Sequence, residues 1–294
     1  VRPALLAAAI CVLLLVFGHV LTSSVVFAAV AAATTAAVGL TFVVFAGGID
    51  LSIGAVALLS AALSGDLVSR AGFSGPIAVF MALAIGVLCG LLNGLLVTRA
   101  GLPPFVATFG VLCVAGAVAA GLPKPVTNQG QWFAPWVVWT VAAVVIVIAH
   151  VLFAHTVLGF RVYFAGTNET AAEHWGISVA GVRLMTYAAS GGLAALAGVM
   201  APGSVKGPID VELIALGAVV LGGATLSGKR GTLIGSLLGA VFLELTGTAL
   251  RSVGMDCYWW QGVLGVVVVG VATVNARLDR RRRTMQWHDR TNNP

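Results

Sequence analysis

Hydrophobic positions in this chain come in long unbroken runs, not in the alternation of half-buried strands or the narrow stripe of a surface helix. A helix that crosses a bilayer needs about 20 mostly apolar residues. Windows of that kind predict ten spans, near Ala4–Leu21, Val25–Ala46, Ile53–Val68, Pro76–Val97, Pro104–Gly121, Trp136–Phe153, Leu184–Ala201, Leu213–Thr225, Thr232–Leu250 and Tyr258–Val274. The third and eighth are short, as broken or re-entrant elements are. The pattern therefore predicts an all-α polytopic membrane protein of about ten transmembrane helices, some short or broken, over residues 1–276. The stretch Ala4–Val20 is long for the core of a cleavable leader and more apolar sequence follows at once, so it reads as a span.

The longest polar interval between two spans is Leu158–Arg183, inside a connecting segment at 155–183. Its middle reads as one short helix. Asn168 suits the N-cap, Glu169 and Glu173 suit the positive end of the helix dipole, and Gly176 suits the C-terminal stop. Such a helix is far below the roughly 12–15 residues at which isolated helices become marginal in water, so it needs a partner. Ala171, Ala172 and Trp175 form a small-residue face with one aromatic. That face fits either a groove on another subunit or the chain's own membrane domain.

Charge changes the picture by giving the spans a direction. Only 9% of residues are charged, against about 25% in ordinary soluble domains. The net charge of +6 belongs to basic residues at span ends, so it reports orientation and not a nucleic-acid partner. An even number of spans puts both termini on one side, and the run Arg280–Arg283 marks that side as cytoplasmic. Twelve of the sixteen Lys and Arg then fall in inner segments and four in outer ones. Trp132, Trp136, Trp139, Tyr258, Trp259 and Trp260 fall at outer interfaces, as an aromatic belt would. The segment with the short helix comes out cytoplasmic, and the tail 277–294 reads as basic, cytoplasmic and disordered.

Asp50 and Asp66 are the only charges between Arg2 and Arg70, and Asp50 lies within GGIDLSIG, Gly47 to Gly54. The Gly47-Gly48 pair interrupts a helix, Asp50 can cap the next one, and Ser52 adds a second polar group. The stretch is a helix cap at a membrane boundary, a discontinuous helix lining a polar route, or both. The phrase returns as GGATLS, Gly222 to Ser227, with Thr225 where the first copy has Asp50. Asn93, inside an otherwise apolar span, joins Gly47, Gly48, Asp50, Ser52 and Thr225 as a candidate for the translocation path. Glycines at Gly86, Gly90 and Gly94, at Gly191, Gly192 and Gly198, and at Gly231, Gly235 and Gly239 predict close helix approach.

Several motifs fail on inspection. GATLSGK, Gly223 to Lys229, has the start of a phosphate-binding loop, but Arg230 stands where Ser or Thr must hold magnesium, and no strand–helix context exists. The five histidines never take HExxH spacing, and Cys11, Cys89, Cys113 and Cys257 form no CxxC pair. No catalytic arrangement, metal site or cofactor of the chain's own can be argued.

Four stretches together resemble a known family: GLTFVVFAGGIDLSIGAVALLSA (Gly39–Ala61), GLLNGLLVTRAGLPPFVATFG (Gly90–Gly110), LGFRVYFAGTNETAAEHWGISVAGVR (Leu158–Arg183) and IALGAVVLGGATLSGKRGTLIGSLLGA (Ile214–Ala240). The chain resembles the membrane permeases of ribose-type sugar ABC importers, a superfamily shared with branched-chain amino acid permeases. The resemblance implies a multi-pass protein of the bacterial inner membrane and a two-fold permease assembly, built from a second copy or a paralogue. It also implies cytoplasmic ATPase subunits that bind ATP and Mg, and a periplasmic or lipid-anchored solute-binding protein. It places Asn168, Glu169, Ala171, Ala172, Trp175 and Gly176 in a segment similar to the EAA coupling loop that docks on the ATPase. The chain departs from the family where Trp175 replaces a small residue, where Gly228-Lys229-Arg230-Gly231 replaces GGRG, near Ala117 where an Arg is frequent, and in a short Leu122–Pro135 loop. The resulting expectation is import of a neutral sugar by alternating access. The alternatives are an amino acid permease, a stand-alone secondary transporter and a structural scaffold.

Overall fold

The structure is a computed structural model that describes residues 3–21, 24–122, 134–200, 208–225 and 231–292. Among these residues there are twelve helices and no strand. They are α1 (Pro3–Leu21), α2 (Ser24–Phe45), α3 (Ile53–Ser69), α4 (Gly75–Thr98), α5 (Pro104–Gly121), α6 (Pro135–His155), α7 (Val157–Thr167), α8 (Glu169–His174), α9 (Val179–Met200), α10 (Pro208–Leu221), α11 (Leu233–Ser252) and α12 (Cys257–Asn292). Each of the ten positions predicted for a span carries an apolar helix. Seven of these helices are long and apolar enough to cross a membrane, while α3 and the described apolar parts of α1 and α10 are shorter.

The centre of the bundle is α2. Its composition is apolar on every side, which is what a helix enclosed by other helices requires. Residues 25–45 are the most enclosed of the long spans, with 83% of their most apolar stretch buried. Helices α9, α11, α6 and α10 wrap it, and α3 lies between α9, α4 and α5.

The tightest pairing joins α4 to α9, and glycine is the reason. A Cβ at Gly90 would overlap the Tyr187 carbonyl, and one at Gly191 would overlap the Gly86 carbonyl, so the two backbones touch only because neither position has a side chain. On the other side of α9, Gly198 fits against the Ala57 carbonyl of α3 in the same way. The predicted glycine faces are borne out here and at Gly235 and Gly239. Gly192 meets only a Val87 side chain.

One end of the bundle gathers the elements of interest. There Phe45, the last residue of α2, meets Phe153 of α6 and Tyr163 of α7 edge-on. The turn at Gly231 before α11 packs on the same Phe45 ring. The 158–183 segment and the turn at Gly231 thus meet around one aromatic. At the opposite end, Phe27 and Trp139 bring the starts of α2 and α6 together. Trp136, Tyr258 and Trp259 are exposed as a belt requires, but Trp260 is buried against Gly247 and belongs to the core. Trp132 lies outside the described residues.

Two further differences have local causes. The polar interval, where the sequence predicts one helix, contains two. The first of them, α7, starts one residue after α6 because Gly159 tolerates contact with the Leu152 and Phe153 carbonyls, and Thr156 caps it by accepting from the Gly159 N–H. At the far end, α12 continues to Asn292 over residues expected to be disordered, since no Gly or Pro stands between Gly270 and Pro294 to stop it.

Candidate functional site

The short helix forms where its local signals placed it. Asn168 is the N-cap, its side chain accepting from the Ala171 N–H at 3.0 Å. The C-terminus closes in a two-bond glycine stop: Gly176 N–H donates to the Glu173 carbonyl at 2.9 Å and Ile177 N–H to the Ala172 carbonyl at 3.0 Å, with Gly176 at φ 74°. The predicted face is divided, however. Ala172 is 0% exposed and packs inward with Val179 and Val182, whereas Trp175 is 80% exposed. The division has a physical reason: a helix this short holds its shape only if one side is anchored in its own protein. Ala171 is half-buried, while Thr170, Glu173, His174 and Trp175 face outward.

A second anchor is ionic. Arg183, near the start of α9, donates from both terminal nitrogens to the two Glu169 carboxylate oxygens at 3.0 and 2.8 Å. A partly exposed pair of this kind contributes about 0–1 kcal/mol, so its importance is the bidentate geometry and not the stability.

The Gly47–Ser52 break lies beside this helix and is fully integrated with its surroundings. Helix α2 ends in the same two-bond motif, with Gly47 at φ 78°. Asp50 is 3% exposed, and its carboxylate accepts three hydrogen bonds: from Ser52 N–H at 2.9 Å, from Ser52 Oγ at 2.7 Å and from Ser190 Oγ of α9 at 2.8 Å. Asn93 of α4 donates to Ser52 Oγ at 2.8 Å. A chain of donors, Asn93 to Ser52 to Asp50 with Ser190 entering from the other side, therefore ties the start of α3 to α4 and α9. Gly48 is glycine for a steric reason, since a Cβ there would lie 2.7 Å from the Tyr187 hydroxyl, which donates to the Ile49 carbonyl at 3.0 Å.

The expected helix cap takes a different form. Ser52, not Asp50, is the N-cap of α3 and makes no capping bond with its side chain. Asp50 closes a side-chain turn one step earlier, and the Ala55 N–H is capped from a distance by Glu212 of α10 at 3.0 Å. Glu212, one residue before the predicted span Leu213–Thr225, is buried in the core. The two GG phrases also differ in register. The glycine that turns left-handed is the first of the pair in one copy, Gly47, and the second in the other, Gly223. By structure Gly47 therefore corresponds to Gly223, one residue off the match read from the letters, so Thr225 does not take the place of Asp50. The structure brings Gly47, Gly48, Asp50, Ser52 and Asn93 together and leaves Thr225, half-buried, after the α10 turn. The stretch with Lys229 and Arg230 and most of the Leu122–Pro135 loop lie outside the described residues.

Comparison with known proteins places this arrangement. Residues 20–272 match the family described as branched-chain amino acid transport system / permease component. The chain belongs to that permease family. Relatives of this permease include the autoinducer 2 import system permease protein LsrC of Salmonella typhimurium, 31% identical, with 87% of this chain and 78% of the relative covered. The ribose import permease protein RbsC of Escherichia coli is also 31% identical, with 79% of this chain and 78% of the relative covered. Among solved structures, PsaBC from Streptococcus pneumoniae in complex with Fab matches with a TM-score of 0.52 at 16% identity, over 87% of this chain and 91% of that one. That likeness concerns the fold. The permease is thus a multi-pass protein of the bacterial membrane, and both the break and α8 lie within the matched region.

Proposed function

We propose that the chain is the membrane subunit of a binding-protein-dependent ABC importer for a monosaccharide or related neutral sugar, and that α8 is its docking helix on a cytoplasmic ATPase. The observation that carries this reading is a short helix pinned from behind by Ala172 while Trp175 stands 80% exposed at its tip. A large aromatic in that state is an anchor awaiting a pocket. The sugar assignment draws on the ribose and autoinducer 2 relatives and on the interior. Arg70, Arg99, Arg161 and Arg277 are exposed, and Arg183 and Arg251 are half-buried. A cation at mid-membrane costs about 2.5–3.5 kcal/mol on insertion scales, and this interior asks a neutral solute to meet none. The carboxylates inside are already engaged, Glu212 with the Ala55 N–H and Glu244 with Arg251.

In this reading ATPase closure displaces α8, and the helices packed through glycine faces tilt between inward- and outward-open states. Nucleotide drives the change by binding one state better than the other. The break flanks the route: separation of α3 from α4 and α9 would turn the Asp50, Ser52, Asn93 and Ser190 groups toward the solute. A second permease subunit completes the path, and a solute-binding protein delivers at the outer face. In proteoliposomes holding the complete importer, ATP-dependent uptake should be seen with labelled ribose or another monosaccharide and be lost in Trp175→Asp, a change at an exposed side chain. Uptake of leucine in place of every sugar tested would contradict the substrate class.

A further inference from the structure

One face of α9 grips three successive points of the broken segment. Arg183, Tyr187 and Ser190 follow at i, i+4 and i+7, a single stripe of a helix. Arg183 Nε donates to the Ala46 carbonyl at 3.5 Å, Tyr187 to Ile49 at 3.0 Å, and Ser190 to Asp50 at 2.8 Å. The terminal nitrogens of the same Arg183 hold both oxygens of Glu169, the first residue of α8. Gly166 of α7 closes the gap from the other side, lying so near Phe45 and Gly47 that a Cβ would overlap the Phe45 carbonyl.

We propose that Arg183 is a positioning residue for coupling, the strut that carries displacement of α8 into the Gly47–Ser52 break; this rests on the docking reading of α8. Two features make it a strut and not an ordinary surface pair. The guanidinium contacts both moving parts at once, α8 through Glu169 and the end of α2 through Ala46. Its planar fork also resists rotation where a lysine ammonium would swivel. Displacing α8 therefore pulls on α9 at the base of the stripe that holds Ile49 and Asp50. Arg183 touches no solute in this scheme and acts through Glu169 and the break.

The test uses the assembled importer in proteoliposomes and reads three quantities: ATPase co-purified, basal ATP hydrolysis, and stimulation of hydrolysis by the solute-binding protein. Arg183→Gln, outside the docking helix, should keep the ATPase bound and basal hydrolysis intact, while stimulation falls about two- to thirtyfold, the range for residues along a coupling network; Glu169→Gln should lower stimulation by a similar factor. The exchanged pair Glu169→Arg with Arg183→Glu should regain most of the stimulation. Glu169 is exposed, so its variant reads coupling without disturbing the core. Wild-type stimulation in both single variants, or an exchanged pair that keeps the ATPase yet regains nothing, would overturn the strut. A Trp175→Asp complex that keeps its ATPase and its stimulation would instead overturn the docking reading beneath it.

Discussion

Asp50 shows how much a single buried carboxylate organises. Its three hydrogen bonds come from two segments far apart in sequence, and Asn93 adds a third through Ser52. Removing one partner leaves a buried acceptor short of a donor, which costs about 1–3 kcal/mol. Ser190→Ala is therefore expected to lower the melting temperature of the purified permease by an amount equivalent to that loss. Thr140→Ala, at an exposed residue whose hydroxyl donates back to the Trp136 carbonyl of its own helix, should change it little. A thermal melt in detergent compares the two. Asp50 and Ser52 were legible as lone polar residues in an apolar run. Ser190, Tyr187 and Glu212 were not, because their partners lie 140, 138 and 157 positions away, and no local pattern records such a distance.

Helix α8 was legible to within a residue or two because everything that shapes it is local: an N-cap reaching three residues on and a glycine stop closing over its own last turn. The split of its face was not, since Ala171 and Ala172 are alike as letters and only packing sends one inward. The glycines teach the same lesson. Gly90 and Gly116 both sit in apolar spans. A Cβ at Gly90 would enter the Tyr187 backbone, while one at Gly116 meets nothing within 4 Å. Gly90→Val should cost at least about 1–3 kcal/mol as overpacking against rigid backbone. Gly116→Val should stay within about 0.5 kcal/mol, as for a substitution away from any packed feature. Yields of folded protein from membranes, followed by melting curves, would separate the two, and equal behaviour would contradict the packing described for α4 and α9.

At the scale of the whole molecule, hydropathy located each of the seven helices that, among the described residues, are long and apolar enough to cross a membrane, since the length and composition of such a helix are properties of the sequence itself. Which helix stands at the centre, and which end carries the break and α8 together, emerged only from the packing around α2 and Phe45. The functional account depends on that end facing the ATPase compartment. A cysteine at position 175, in a background freed of Cys11, Cys89, Cys113 and Cys257, reads this directly with a membrane-impermeant maleimide. The account predicts labelling in inside-out vesicles, none in intact cells with a permeabilised outer layer, and protection when the ATPase is bound. Labelling of that cysteine from the outside of intact cells would contradict it.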